Sequence, residues 1–143
     1  MMRSKRIAII AVAVACFGLI DSAYLTIKHL QGAYIRCDDE CSAVLGSRYA
    51  EGIAGVPLAA FGAMAYAGAI IAAFMMTRGS IWARKVFAIF ATGMAVFSVW
   101  LIYLQAFVIH AFCKYCLASA ATCFTLAGLA LIERLFRSRP EAV

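Results

Sequence analysis

Two closely spaced cysteine pairs hold the reactive side chains of this sequence. Cys113 and Cys116 form a C-x-x-C motif, and Cys37 and Cys41 form a second pair around Asp38-Asp39-Glu40. A C-x-x-C motif is typical of redox-active or metal-binding thiols. If both pairs lie on one side of a membrane, electrons can pass between them by thiol–disulfide exchange.

The C-x-x-C motif lies between two apolar stretches and is expected to open a helix. The N-terminus of a helix carries a partial positive charge that stabilises a thiolate, and Lys114 adds a further positive charge. One of Cys113 and Cys116 is therefore predicted to be a reactive nucleophile. A static disulfide that fixes the start of the helix is the competing interpretation.

The other pair has acidic neighbours that disfavour thiolates, and its short loop limits what a bridge can add to stability. We therefore interpret Cys37 and Cys41 as an exposed, exchangeable disulfide. Two alternatives stay open: a local structural clip, and a zinc site formed by all four sulfur atoms. Cys16 and Cys123 fall inside apolar stretches and are expected to pack as small hydrophobic residues.

The composition predicts an all-α integral membrane protein. Of the 143 residues, 66% are hydrophobic and the mean hydropathy is +0.93, whereas a soluble protein has about 45–50% apolar residues. Four stretches, at about 7–27, 53–77, 86–112 and 115–134, are long enough to cross a bilayer as helices. We expect a single domain over residues 1–143, a four-transmembrane-helix bundle, with an outer loop at 28–52 that carries Cys37 and Cys41.

The positions of the basic residues predict how the bundle is oriented. Nine lie on one predicted face: Arg3, Lys5, Arg6, Arg78, Arg84, Lys85, Arg134, Arg137 and Arg139. The opposite face has four: Lys28, Arg36, Arg48 and Lys114. The positive-inside rule then makes both termini cytoplasmic and places the cysteine pairs outside, where disulfides persist. Because the basic residues flank apolar runs, the net charge of +6 does not indicate a nucleic-acid partner.

The N-terminus permits a second interpretation. Basic residues at 3–6 followed by an apolar run resemble a signal peptide, and Cys16 falls where a lipoprotein would be cleaved. The apolar run continues past Cys16 to Ile20, which favours a retained span.

Two ionisable residues within or near the spans are candidates for supporting roles. Asp21 lies inside the first span, where a charged group is a functional candidate; it is expected to pair with Lys28 or His29, or to cap a backbone group. His110 lies one helical turn before Cys113 and is a candidate for proton exchange. The competing interpretation of His110 is a rim histidine in contact with headgroups.

Aromatic residues near the predicted outer rim suggest a cavity. Pro57 fits the first turn of the second span, and Phe61 and Tyr66 supply aromatic surface nearby. An apolar cavity with a few polar groups is what a quinone ring requires. We expect quinone contacts from these three residues and no metal site.

The order of these features resembles the vitamin K epoxide reductase family, in its bacterial quinone-linked branch. The resemblance rests on Asp21-Ser22-Ala23-Tyr24-Leu25, the loop cysteines, the segment 42–49, Gly55-Val56-Pro57, Phe61-Gly62 with Tyr66, and the C-x-x-C motif. The C-x-x-C motif comes last, whereas in the DsbB-type oxidases it lies in the first outer loop.

The resemblance implies a thiol:quinone oxidoreductase in the inner membrane, with its active site on the periplasmic or extracellular face. A separate thioredoxin-fold (DsbA-like) partner would reduce Cys37 and Cys41, Cys41 would exchange with Cys113, and Cys116 would pass electrons to ubiquinone or menaquinone. Ser47 would help to hold the active region. The alternative function is a non-catalytic four-helix membrane protein with structural disulfides or a zinc site.

Two departures from the family bear on the relay between the cysteine pairs and on the substrate, respectively. Only three residues separate the loop cysteines, fewer than in familiar members. Ser119-Ala120-Ala121 stands where vertebrate members have Thr-Tyr-Ala after the C-x-x-C motif. The second change favours a respiratory quinone over vitamin K epoxide.

Overall fold

The chain folds into a bundle of long helices. The computed structural model describes residues 2–31 and 39–138. The helices are α1 (Met2–Leu30), α2 (Asp39–Leu45), α3 (Leu58–Thr77), α4 (Ile81–Leu104), which continues into a π-helical turn at Gln105–Ile109, and α5 (Lys114–Ser138). Four of them, α1, α3, α4 with its π-helical turn, and α5, are long and apolar enough to cross a membrane, which confirms the predicted all-α membrane fold.

The helix boundaries differ from the predicted spans because local capping decides them. Helix α3, the second predicted span, begins at Leu58 rather than 53, directly after Pro57, whose backbone is extended (ψ 144°). Helix α4, the third predicted span, begins at Ile81 rather than 86, where the Ser80 hydroxyl accepts a hydrogen bond from the Ala83 amide at 3.3 Å. The predicted span begins after Lys85 because charged residues set its boundary. Basic residues near the start of a helix are nevertheless compatible with helical structure.

A seam of small residues lets α1 approach α3 closely. Its buried positions recur every three or four residues: Ala8, Ala11, Ala15, Gly18 and Ser22. The three alanines pack in a cluster with Tyr66, Ala69 and Ala73 of α3, and Gly18 lies beside the Tyr66 ring. Small residues favour helix association in lipid because dispersion contacts, rather than burial from water, hold the helices together. The opposite face of α1 exposes large apolar side chains such as Ile9 and Phe17, as a lipid-facing surface does.

Basic residues gather at one end of the bundle and the C-x-x-C motif lies at the other. At the basic end, Arg84 forms an ion pair with Glu133 (Nη1–Oε1 3.5 Å), and the guanidinium of Arg3 lies 5.7 Å from the ring centre of Phe136. Cys113 precedes α5 at the opposite end, 20 residues before Glu133 on an uninterrupted helix. This separation agrees with the charge pattern from which the orientation was predicted; the cytoplasmic position of both termini stays a prediction.

The contact between Gly18 and Tyr66 yields a test of the packing. A Cβ at Gly18 would overlap the Tyr66 ring, and that ring cannot move away freely because its hydroxyl is hydrogen-bonded to α5. We expect Gly18→Ala to lower the free energy of unfolding in detergent by about 1–3 kcal/mol.

Gly128→Ala in α5 is the matched control, because a Cβ there meets no atom within 4 Å. This control should leave the stability unchanged or raise it by up to about 1 kcal/mol. Equal effects of the two substitutions would contradict the packing described for α1 and α3.

Candidate functional site

The structure brings Cys41 of α2 into contact with Cys113 at the start of α5. Their Sγ atoms lie 3.1 Å apart, and both residues are buried. A second contact ties the same segments together, since the backbone N–H of Phe112 donates to Glu40 Oε2 at 3.4 Å. One member of each predicted pair therefore reaches the other pair. Cys37 lies outside the described residues.

A small apolar cluster surrounds the two sulfur atoms. Val44 of α2 and Ala111 complete the buried cluster, with Ile109 and Leu45 packed against it. Sequence analysis treated 28–52 as a polar loop and missed α2, which is too short for its periodicity to be recognised. The helix matters because its inward face is what buries Cys41.

Ser47 lies just after α2 and supports its end. Its hydroxyl donates to the Val44 carbonyl oxygen at 2.7 Å, one of the carbonyls that the last turn of a helix leaves unpaired. The backbone N–H of the same residue bonds to the same carbonyl at 3.2 Å. Ser47 therefore stabilises the end of the segment that presents Cys41; its supporting role in the reaction stays a prediction.

Cys113 occupies the N-cap of α5. Its carbonyl accepts the first helical hydrogen bond, from Leu117 N at 2.9 Å. A hydrogen bond from the Cys116 thiol, helped by one from Cys41 and by the backbone N–H groups of Cys116 and Tyr115, lowers the pKa of Cys113 to about 6, against the opposing effect of burial. Of the two cysteines at this helix N-terminus, Cys113 is the one whose thiolate these contacts stabilise; its role in catalysis stays a prediction.

Gln105 holds Cys113 in place, and sequence analysis missed it. This side chain is 3% exposed, and its Oε1 accepts a hydrogen bond from the Cys113 backbone N–H at 2.9 Å. Its main-chain carbonyl accepts the N–H groups of His110 and of Ala111, where the π-helical turn ends. A signal was present in the sequence, because Gln105 is a polar residue inside the apolar stretch 86–112.

A cavity of about 530 Å³ lies beside the cysteines, within the range of about 300–1,000 Å³ typical of ligand sites. Pro57, Phe61 and Tyr66, the residues expected to contact quinone, all line it, as do Ser47 and Cys116. Cys113 contacts Cys41, and Cys116 faces the cavity. The C-x-x-C motif thus connects the α2 cysteine to an apolar chamber between the helices.

Tyr66 is a fixed wall of this cavity. Its hydroxyl donates to the Ser119 carbonyl oxygen at 2.9 Å, and lies 2.9 Å from the Ser119 hydroxyl and 3.1 Å from Cys123 Sγ. Cys123 is buried, as expected, but it also lines the cavity and contacts a polar group. These contacts hold the ring of Tyr66 against α1 and fix the shape of the chamber.

Asp21 does not form the expected ion pair within the described ranges. Lys28 and His29 are seven and eight residues away on the same helix, which places them about 10–12 Å along its axis. Lys28 instead lies 5.8 Å from the ring centre of Tyr24. The Oδ2 atom of Asp21 is buried and has no hydrogen-bond partner among the residues that the structure describes.

His110 is exposed and is not among the residues that line the cavity. The expectation that it lies one helical turn from Cys113 is wrong, because the helix ends at Ile109 and His110 adopts a left-handed conformation (φ 55°). Its role in proton exchange stays a prediction. No group of three or more His, Cys, Asp or Glu in the described part of the chain could hold a metal ion; the zinc alternative includes Cys37 and is not tested.

One comparison with known proteins places these features in a family. A family model described as the vitamin K epoxide reductase family matches residues 9–131. The match covers well over half of the chain, including both cysteine pairs and every residue named above as lining the cavity.

The environment of Cys113 predicts a step in the titration of the reduced protein. We expect ultraviolet thiolate absorbance to rise with a midpoint near pH 6, because Cys113 has a pKa of about 6. The Cys113 thiolate is therefore present at pH 7 and is lost as the pH falls through 6. Cys113→Ala should remove this step.

Cys116→Ala tests the cause of the shift, since the Cys116 thiol gives the largest lowering contribution. In that variant the midpoint should rise towards the ordinary cysteine pKa of about 8.5. A wild-type protein whose first thiolate appears only near pH 8.5 would contradict this description of the site.

Proposed function

The chain belongs to the vitamin K epoxide reductase family, and from that premise we propose that it is a membrane thiol:quinone oxidoreductase. In this proposal it generates disulfides for a separate extracytoplasmic thioredoxin-fold (DsbA-like) protein. The observation that carries the proposal is the 3.1 Å contact between Cys41 and Cys113, next to a Cys116 that faces an apolar cavity. A dithiol donor and a lipid-soluble acceptor would meet the protein on the two sides of this contact.

The first step transfers electrons from the partner to the loop. A partner thiolate attacks Cys37 in the Cys37–Cys41 disulfide, and Cys41 leaves as a thiolate. The second partner thiol then displaces Cys37 and completes the partner's disulfide. The partner loses two electrons and two protons, and the loop pair becomes a dithiol.

The second step moves the electrons to the C-x-x-C motif. The Cys41 thiolate attacks Cys113 in the Cys113–Cys116 disulfide, and Cys116 leaves as a thiolate. Cys37 then attacks Cys41, which re-forms the loop disulfide and releases Cys113. The lowered pKa of Cys113 favours this release, because thiols of lower pKa are better leaving groups.

The third step reduces the acceptor. Cys113 and Cys116 re-form their disulfide and give two electrons to a quinone, which takes up two protons from thiol or water and becomes a quinol. Cys116 is the thiol that meets the acceptor, because it lines the cavity. The net reaction converts a partner dithiol and a quinone into a partner disulfide and a quinol, and it is downhill because quinones are stronger oxidants than protein dithiols.

We propose ubiquinone or menaquinone as the acceptor. Ala120 stands where vertebrate members of the family have a tyrosine, and this alanine lines the cavity. The change favours an ordinary respiratory quinone over an epoxide. The supporting roles of Ser47, Asp21 and His110, and the quinone contacts of Pro57, Phe61 and Tyr66, belong to this proposal.

The proposed location is the cytoplasmic (inner) membrane, with the cysteines on the periplasmic or extracellular face. Its support is the cluster of basic residues at the end of the bundle opposite Cys113, together with the positive-inside rule. An oxidising compartment on the cysteine side also suits disulfides that must persist between turnovers.

The proposal is tested by quinone reduction with purified protein in detergent. Wild-type protein should reduce ubiquinone or menaquinone when it is supplied with a reduced DsbA-like protein, and Cys116→Ala should lose this activity because the thiol facing the cavity is gone. Cys16→Ala is the control, since Cys16 lies in α1 and is not among the cavity-lining residues. It should retain wild-type turnover.

Normal turnover by Cys116→Ala would refute the relay. A wild-type protein that reduces neither quinone, while its outer cysteines stay bridged after mild reduction, would favour the non-catalytic alternative with structural disulfides.

A further inference from the structure

We propose that Gln105 is a quinone-contacting residue: its carboxamide nitrogen donates a hydrogen bond to a carbonyl oxygen of the acceptor, while its carboxamide oxygen holds the backbone of Cys113. The inference rests on the proposed function, which supplies a quinone as the acceptor. The Gln105 carboxamide would contact the polar carbonyl of the ligand directly beside the reactive thiols.

The orientation of the Gln105 amide follows from its partner. The backbone N–H of Cys113 is a donor, so the side-chain atom 2.9 Å from it must be the oxygen, Oε1. The two N–H donors of Nε2 therefore point away from the Cys113 backbone.

The carboxamide nitrogen has no acceptor among residues 2–31 and 39–138. The Gln105 side chain is nevertheless 97% buried, since only 3% of its surface is exposed, and it lines the cavity that Cys116 also lines. The nitrogen is not one of the fully buried side-chain atoms that lack a hydrogen-bond partner, so it keeps some open space beside it. An occupant of the cavity that offers an oxygen would give this donor an acceptor.

The surroundings narrow the chemistry of that occupant. The lining is predominantly aliphatic and aromatic, so the ligand must present an apolar ring as well as an acceptor oxygen. Two hydroxyl groups described above already donate to protein carbonyl oxygens, Tyr66 to Ser119 and Ser47 to Val44. Gln105 is thus a donor still available for a ligand carbonyl, and quinones carry carbonyl oxygens with no donor of their own.

A hydrogen bond at this position would assist reduction as well as binding. When a quinone accepts electrons, negative charge develops on its oxygen atoms, and hydrogen bonds to a charged acceptor are roughly twice as strong as neutral ones. A donor fixed in advance stabilises such charge without reorganisation. The carboxamide does not supply a proton, so the two protons of the quinol come from thiol or water, as in the proposed reaction.

The test compares two ligands of the same shape. Duroquinone has two carbonyl groups and a fully substituted ring that thiols do not add to, and durene is the corresponding tetramethylbenzene without carbonyls. Binding of each is measured to oxidised wild-type protein and to Gln105→Met in the same detergent micelles. We expect Gln105→Met to weaken duroquinone binding about three- to tenfold and to change durene binding by less than about twofold.

Equal weakening of both ligands would overturn the inference, because it would indicate only a structural effect on the cavity. An unchanged affinity for duroquinone would overturn it as well. Turnover of wild-type protein with quinone tests the proposed function separately. If wild-type protein shows no turnover, but Gln105→Met still weakens duroquinone binding and not durene binding, the redox relay is refuted and the carbonyl contact stands.

A measurement on wild-type protein covers the case in which Gln105→Met does not fold. Isotope-edited infrared spectroscopy of carbonyl-labelled duroquinone should show one carbonyl band at lower frequency than in alkane solution, as a hydrogen-bonded carbonyl does. A carbonyl absorption that stays wholly at the frequency found in alkane solution would contradict a hydrogen bond from Gln105.

Discussion

Contact between the sulfur atoms of Cys41 and Cys113 is the constraint on which the rest of the site depends. Disulfide exchange requires one sulfur to reach another, and here the separation is 3.1 Å within an apolar cluster. Two independent devices maintain it. The short helix α2 presents Cys41, and the Gln105 side chain fixes the backbone of Cys113 where α5 begins.

The division of the C-x-x-C motif between two environments follows from helix geometry. Cys113 is the N-cap and faces α2, whereas Cys116, in the first turn of α5, faces the cavity. The close packing of α1 against α3 fixes Tyr66 as one wall of that cavity. A sulfur that faces α2 and a sulfur that faces the cavity are therefore neighbours on one helix. In the proposed reaction, neither the partner nor the quinone has to enter the other's site.

Composition and periodicity were sufficient to predict the fold class, the four long helices and the start of α5 at the C-x-x-C motif. They also pointed to Pro57, Phe61 and Tyr66, because aromatic residues near a helix rim suggest a cavity, although their contact with quinone stays a prediction. Sequence analysis missed α2 and the role of Gln105. The first is too short for a periodic signal, and the importance of the second depends on a tertiary hydrogen bond.

The most direct test of the account is disulfide mapping in the double variant Cys37→Ala, Cys116→Ala. This variant removes the proposed bridging partner of Cys41 and of Cys113 and leaves those two thiols facing each other. The account predicts that mild oxidation gives an intramolecular Cys41–Cys113 disulfide, identified by peptide mass spectrometry. If both thiols stay reduced, or appear only in links between molecules, the contact that joins the two pairs does not exist in the protein.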